Sequence, residues 1–543
     1  MIEFCKKHFQ SGREKRVKLG RFGFRKGTAL AYMLVVMFIV SIILVSMLRY
    51  ISSQLIFSGN RAEKEKAFQV AESGIYFYRW YLAHQVSGKT VQQIKDFWTS
   101  GNPYGVNIPG NPNYPYEVEF SDPEEGPIGR YKIEVDPPEI NSTIVIVKVT
   151  GWTYREPGVQ RIVQARFRRP SWSENVVLAN DNMRFGPGTE IFGKIHSNKG
   201  IRFDGVAHNI VSSSLDQYDD PDHSGNNEFG VHTHVNPPPG SGINDIFRTA
   251  EAPPSTVSSR PDVFEIGRQF PKTAVDFNGL LTDLNYMKTE SKIAGRGKYF
   301  NNDGAGRKII LKTDGTYDVC TVNTFSSSSK NISLYDGIVS GASGGYSGNN
   351  GNACTTSGCC AYAACGWISS SNHSRGKCVS LANENIPDEG VIFVEDNVWV
   401  EGTIDDRHVS IVAANLTGSG SSADMYIGLN NLLYTNFDGK DIIGLIAQNN
   451  VSVVRDSQDT LTIDAAIIAK DGRVGRNYYS SSYNKNKITV NGSMATNLRY
   501  GFAYTDGTGY EDRILNFDNN LLYYPPPYFP TGTEYSIDLW DEL

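Results

Sequence analysis

The first long pattern along the chain is an apolar run with no polar stripe. Residues 28–48 read TALAYMLVVMFIVSIILVSML, uncharged throughout and closed by Arg49. At about 1.5 Å per residue such a helix spans about 30 Å, the hydrocarbon thickness of a bilayer. Residues 59–78 (GNRAEKEKAFQVAESGIYFY) change the pattern. Ala62, Ala67, Phe68, Ala71, Ile75 and Tyr78 recur at helical spacing, while Glu63, Lys64, Glu65 and Lys66 fall off that face. One helix over 28–85 is therefore expected, crossing a membrane and continuing as a stem.

Residues 86–100 read as one short helix or loop, and 101–115, rich in Gly, Pro and Asn, as a linker. Strict alternation follows in YEVEF (116–120), RYKIEV (130–135), TIVIVKV (143–149) and RIVQARF (161–167). This predicts an antiparallel meander of about four strands over 86–172, one face covering the stem. Gly151 and Trp152 are assigned to the tight turn after the third strand. From about Glu174 the pattern turns to short β runs with many Asn and Gly. GKIHSN (193–198), GLIAQN (444–449) and NGSMATN (491–497) share the form Gly-x-[Ile/Met]-x-x-Asn, and GTIDDR (402–407) is a degenerate copy. Gly permits a corner, the apolar residue points inward, and Asn bonds backbone at the next corner. Such repeats predict a mostly-β, solenoid or β-helix-like unit over 173–543. The irregular period leaves a β-sandwich as the alternative.

Charge sharpens the membrane reading. Residues 1–27 hold nine Lys/Arg and two Glu, a net +7 in a chain whose total is −6, which leaves −13 for the rest. A basic head before an apolar span places the N-terminus on the cytoplasmic side. The acidic remainder argues against a nucleic-acid partner, because phosphate neutralisation needs clustered cations. A secretory signal peptide is the competing reading of the N-terminus. Its apolar region is shorter, about 7–15 residues, and a small-residue cut site follows it.

The order of features carries a resemblance. A basic stretch ends at Arg25, Lys26 and Gly27, abuts the apolar helix at Thr28, and is followed by the stem run AFQVAESG (67–74). This resembles the type IV prepilins, and within them the PilX-type minor pilins and the related K-type pseudopilins. The resemblance implies an α+β pilin-like N-terminal unit, a long membrane-spanning helix plus an antiparallel sheet. It implies cleavage between Gly27 and Thr28 by prepilin peptidase, with methylation of the new N-terminus, and a stem motif of Ala67, Phe68, Ala71, Glu72 and Gly74. Residues 1–27 are then a cytoplasmic leader. Where major pilins carry Glu five residues after the cut, this chain has Tyr32. Tyr cannot neutralise a neighbour's ammonium, which implies a subunit at or near the filament tip, or an anchor that never polymerises.

Cysteines bear on compartment. Cys320, Cys354, Cys359, Cys360, Cys365 and Cys378 cluster in an insertion over 320–378, and an even, clustered set in an exported chain predicts about three disulfides. Their pairing stays open, and with no Cys-x2-Cys spacing a zinc site among them is not expected.

Other residues resemble chemistry less closely. The acidic loop DQYDDPDH (216–223) around Asp219 has oxygens enough for Ca²⁺ but no EF-hand spacing, and reads as solvated. His232 and His234 share a strand face, but with no third ligand in register they read as structural. Asp405, Asp406 and His408 evoke a glycosidase pair, yet neighbouring strand residues point to opposite faces unless they lie in a turn. No catalytic residue, metal or cofactor is expected.

The expected function is that of a non-enzymatic minor pilin acting in pilus assembly or priming and in surface adhesion. Its partners would be other pilins, prepilin peptidase, the inner membrane and a host-surface or glycan ligand. It would be a single-pass membrane protein before assembly and a pilus or cell-surface protein afterwards. A type II secretion pseudopilin and a membrane-anchored β-helix carbohydrate-active enzyme are the alternatives.

Overall fold

The computed structural model describes residues 28–332 and 378–543, apart from 125, 140–141, 278–279, 303–304, 323–324, 388–389 and 533. The leader with Gly27 and most of the Cys-rich insertion lie outside the described residues.

Helix α1 (Thr28–Val86) runs unbroken for 59 residues. It contains no proline, so nothing removes an i→i−4 hydrogen bond. Its two halves face different surroundings. Every large apolar side chain from Leu30 to Phe57 is exposed, whereas Ala67, Val70, Ala71, Ile75, Tyr78, Leu82 and Val86 are almost fully buried. Helix α2 (Val91–Ser100) starts at a reciprocal cap. Thr90 Oγ1 accepts from Gln93 N at 3.3 Å and Gln93 Oε1 accepts from Thr90 N at 3.0 Å. It buries Ile94, Phe97 and Trp98.

The alternating segments form the antiparallel strands β1 (Tyr116–Asp122), β2 (Gly126–Asp136), β3 (Ile144–Thr153) and β4 (Gln160–Arg168). Val149 lies between Ile133 and Val163, and Val147 between Val135 and Ala165, so one face is a continuous apolar surface under the stem helix. Two expectations need correction. The sheet has a fifth strand, Ser536–Glu542, paired antiparallel with β4. The large unit therefore does not run from 173 to 543; it is an insertion between β4 and the last strand of the same sheet. And Gly151 is not in a turn. It sits inside β3, opposite Tyr131 and Arg161.

Within the insertion, short strands stack in parallel ladders. In one, Val391–Val394, His408–Ala413, Ile442–Ala447, Thr460–Ala469 and Lys485–Thr496 pair in turn. The ladder then returns to early chain, adding Val177–Ala179, Ile195–Ser197 and Val211–Ser213. A second ladder joins Lys485–Thr496 to Tyr510–Asn516, Thr189–Phe192 and Val206–Ala207. The stacking order is thus not the chain order: residues from about 177 to 213 sit beyond the strands at 485–516. Inward side chains from the ladders form one apolar cluster that includes Val177, Ile195, Ile411, Leu445, Ile467 and Met494.

The repeated motif is legible in this geometry, with two shifts. Ile195 and Met494 share a register through Val177, but in the third copy the matching residue is Leu445 rather than Ile446. The degenerate copy at Gly402 belongs to another ladder, opposite Leu432. The motif residues Asn198 and Asn497 bond backbone as expected, at Val275 and at Asp471 O, and are also linked through the amide of Asn180. Asn180 Nδ2 donates to Asn497 Oδ1 at 2.8 Å, and Asn198 Nδ2 donates to Asn180 Oδ1 at 2.7 Å and to Val275 O at 2.7 Å. A second amide chain runs from Asn516 through Asn491 to Asp464. Stacked side-chain amides satisfy donor and acceptor at each step, which a single backbone contact does not.

Candidate functional site

Two places combine unusual exposure, charge or close approach. The first is α1. Among the described residues it is long and apolar enough to cross a membrane, with none of its most apolar stretch buried. Thr28 opens the helix, and Tyr32 is 67% exposed on it. The expected stem motif lies on the sheet-facing half, and its small residues set the approach distance. A Cβ on Gly151 would lie 2.5 Å from both Ala67 O and Ala71 N. A Cβ on Gly74 would lie 2.6 Å from Val149 Cγ1. Ala67, Ala71 and Gly74 thus dock the helix on its own sheet. Phe68 packs edge-on against Trp540 of the last strand, at 5.6 Å between centroids, and Glu72 is half-buried with Tyr76 Oη at 3.5 Å. Glu63, expected off the buried face, is buried and accepts from Thr153 Oγ1 at 2.6 Å. Tyr76 and Trp80 remain exposed on the stem.

The second place is a cluster that the sequence reading divided into two unrelated signals. Gln217–Tyr218 and Glu228–Phe229 form a short antiparallel hairpin, and Val231–His232 then pairs parallel with Ile201–Phe203. The link between them is Gly230, whose Cβ would fall 1.8 Å from Leu215 O, so no other residue fits that approach. This path brings Asp220, His223, Glu228, His232 and His234 together, with one ligand-type atom of each within 4.8 Å of the others. Glu228 Oε2 lies 3.0 Å from both His223 Nε2 and His232 Nε2, and Glu228 Oε1 lies 3.2 Å from His234 Nε2. Asp220 Oδ2 lies 3.4 Å from His232 Nε2 and 3.5 Å from His223 Nε2. Asp220, Glu228, His232 and His234 are almost fully buried.

The expectation that the 216–223 loop is solvated therefore fails at Asp220. The reason for reading His232 and His234 as structural, the want of a third ligand in register, fails as well. The third imidazole and the Asp220 carboxylate come from the segment joining the hairpin strands, and Glu228 from the strand just before Gly230. A compositional signal was available: three of the nine histidines fall between 223 and 234.

Neighbours orient the cluster. His234 Nδ1 donates to Asn244 O at 2.7 Å, which turns its Nε2 lone pair inward. The His234 backbone N–H donates to Asp204 Oδ1 at 2.8 Å, and Arg202 Nε donates to Asp204 Oδ2 at 2.7 Å. Arg202 also pairs with Asp245. Burial alone would raise the Glu228 carboxyl, but the close approach and charge of His232 and His234 hold it well below the usual carboxylate range. Burial would likewise lower His232, yet Asp220 and Glu228 hold it up to about 8. The two carboxylates favour positive charge at this point.

The other predicted residues lie apart from this cluster or outside the described residues. Cys320 is buried and disulfide-bonded. Cys354, Cys359, Cys360 and Cys365 lie outside the described residues, as does the side chain of Cys378. Asp405 and Asp406 do lie in a turn, between strands Val398–Ile404 and His408–Ala413, where Asp406 N donates to Asp441 Oδ1 at 2.6 Å. His408 is turned to Gly439 O at 2.9 Å.

No protein-family model matches the chain, and no curated protein does. Among solved structures, the crystal structure of the competence-associated pilin ComZ from Thermus thermophilus is weakly similar. The TM-score is 0.30 and the identity 13%, over 89% of this chain and 98% of that one.

Proposed function

We propose that the chain is a minor pilin-like subunit of a type IV pilus, cut between Gly27 and Thr28 and placed at or near the filament tip. The carrying observation is the division of α1. One continuous helix has an apolar half with no intramolecular partner among the described residues and a half seated on an antiparallel sheet. In a bilayer the free half is solvated by lipid. In a filament it is buried among similar helices, and Tyr76 and Trp80 extend that contact along the stem. Assembly is transfer of the helix between two apolar surroundings, with no covalent bond between subunits and no reaction catalysed by this chain. Tyr32 leaves no carboxylate for a following subunit's amino terminus, which favours a terminal position.

The stacked parallel ladders support a β-solenoid as the displayed body, inserted into the pilin sheet so that both of its ends are tied to the stem. A body held at two ends is suited to transmit force from a surface contact to the filament, which supports adhesion or priming as its task. The test is intact mass and N-terminal sequencing in cells with and without prepilin peptidase, followed by fractionation of sheared pili. A start at Thr28 that needs the peptidase, with recovery in the pilus fraction, is expected. An uncut chain that stays in the membrane, or one recovered only with a secretion apparatus, refutes the proposal.

A further inference from the structure

We propose that Asp220, His223, Glu228, His232 and His234 bind one divalent transition-metal ion of the zinc class, in a closed site that pins the 217–234 hairpin to the body. The inference is independent of the pilin reading, because it rests only on this cluster.

Three imidazole Nε2 atoms and two carboxylates converge from separate points of one hairpin and the strand after it. Their N···O separations, 3.0–3.5 Å, match the edges of a coordination polyhedron. Bonds of about 2.0–2.2 Å to a central ion place adjacent ligands roughly 3.0–3.5 Å apart. Direct hydrogen bonding accounts for only one of these contacts, His223 Nε2 with Glu228 Oε2 at 3.0 Å. Asp220 Oδ2, His232 Nε2 and His234 Nε2 have close neighbours but no hydrogen-bond partner of acceptable geometry, although all are buried. Buried polar atoms left this way are costly. An ion at their centre satisfies all three together.

The charge also fits. Arg202 is engaged by Asp204 and Asp245, and it approaches Asp220 only to 3.9 Å. The Arg248 guanidinium donates to Val235 O, and only its backbone N–H reaches Glu228. The carboxylates of Asp220 and Glu228 are thus left facing three imidazoles, and a divalent cation balances them. Donor chemistry selects the metal class. Imidazole nitrogen suits zinc, iron, nickel or copper, whereas calcium and magnesium take oxygen ligands. Five protein ligands in a buried setting leave no place for a substrate, which marks a structural site rather than a catalytic one. Its second shell is present in Asn244 O behind His234 and Asp222 N on the far oxygen of Asp220.

The experiment uses the full chain in detergent, purified without chelator. Elemental analysis after gel filtration should give about one first-row transition metal per chain. After stripping with EDTA, ZnCl2 or CoCl2 should restore the unfolding temperature, and CaCl2 or MgCl2 should not. Bound Co²⁺ should show visible d–d absorption without the near-ultraviolet thiolate band that cysteine ligands produce. His234→Gln and Glu228→Gln should lower Co²⁺ affinity at least tenfold. If those variants fail to fold, His223→Asn, at the outer side of the cluster, gives the same reading. A wild-type chain that takes up no stoichiometric Zn²⁺ or Co²⁺ overturns the proposal. So does a thiolate spectrum, a response to Ca²⁺ alone, or affinity unchanged in His223→Asn.

Discussion

Replacing Gly151 by Ala tests the contact on which the N-terminal unit depends. The new Cβ would meet Ala67 O and Ala71 N at 2.5 Å, and ordinary contact begins at 3.4 Å, so α1 must move away from β3 by nearly an ångström. Both atoms met are backbone, so no rotamer change relieves the clash. A gap of about 0.5–1 Å forfeits a quarter to a half of each dispersion well. The residues that would lose contact are Val70, Ala71, Ile75, Tyr78 and Leu82 above and Val147, Val149 and Val163 below. Overpacking of this kind costs about 1–3 kcal/mol, and the backbone clash places this site at the upper end, about 3 kcal/mol. At 1.4 kcal/mol per decade that is roughly a 100-fold change in a local opening equilibrium. The assay is hydrogen exchange of the full chain, read at amides of 145–149 and 163–167. Those amides should exchange about 100-fold faster, while amides of 463–468 in the inserted body are unchanged. Gly59→Ala is the control: nothing lies within 4 Å of its Cβ, and the helix gains about 1 kcal/mol of propensity. Gly74→Ala should be partly rescued by Val149→Ala, because there the clash is with a side chain. Exchange within about twofold of wild type in Gly151→Ala would refute the packing argument.

Asn180→Ala removes the middle of the amide chain linking Asn497 to Asn198, and should cost about 1–3 kcal/mol, read as faster exchange at 177–179 and 494–496. Trp540→Ala should cost about 1 kcal/mol through the lost edge contact with Phe68, measured by denaturant titration. Deleting 536–543 should go further, exposing β4 to exchange and removing the Arg166–Asp538 pair at 2.9 Å. Lys308 is fully buried, 2.7 Å from buried Glu401. Lys308→Met alone should cost about 3–5 kcal/mol by leaving a buried carboxylate unpaired, while Lys308→Met with Glu401→Met should recover most of it; equal losses would refute that account.

The legible parts of the molecule were those governed by local periodicity. Residues 28–48 have one pattern and one solvent preference, and the alternation at 116–167 maps onto β1 to β4 because a strand with one covered face must alternate. The apolar positions at 67, 71, 75 and 78 fell on the buried face for the same reason. Glu63 broke the pattern because a partner distant in sequence, Thr153, makes its burial tolerable. Gly151 looked like a turn because a glycine within a strand and a glycine at a corner are indistinguishable without the helix that approaches it.

By itself, then, the order of residues determined an uncharged helix long enough for a bilayer, an amphipathic continuation, an alternating sheet and a body of short Asn-rich strands. Each follows from forces acting over a few neighbouring residues. Only the tertiary structure decided that Ser536–Glu542 returns to the first sheet, that strands near 177 stack beyond those near 490, and that His223 and Glu228 meet His232 and His234. Those are choices of pairing between segments far apart along the chain or across a hairpin. Their free energy comes from shared burial and charge; the sheet partners share no local window of sequence, and within 220–234 the spacing alone does not show which side chains converge.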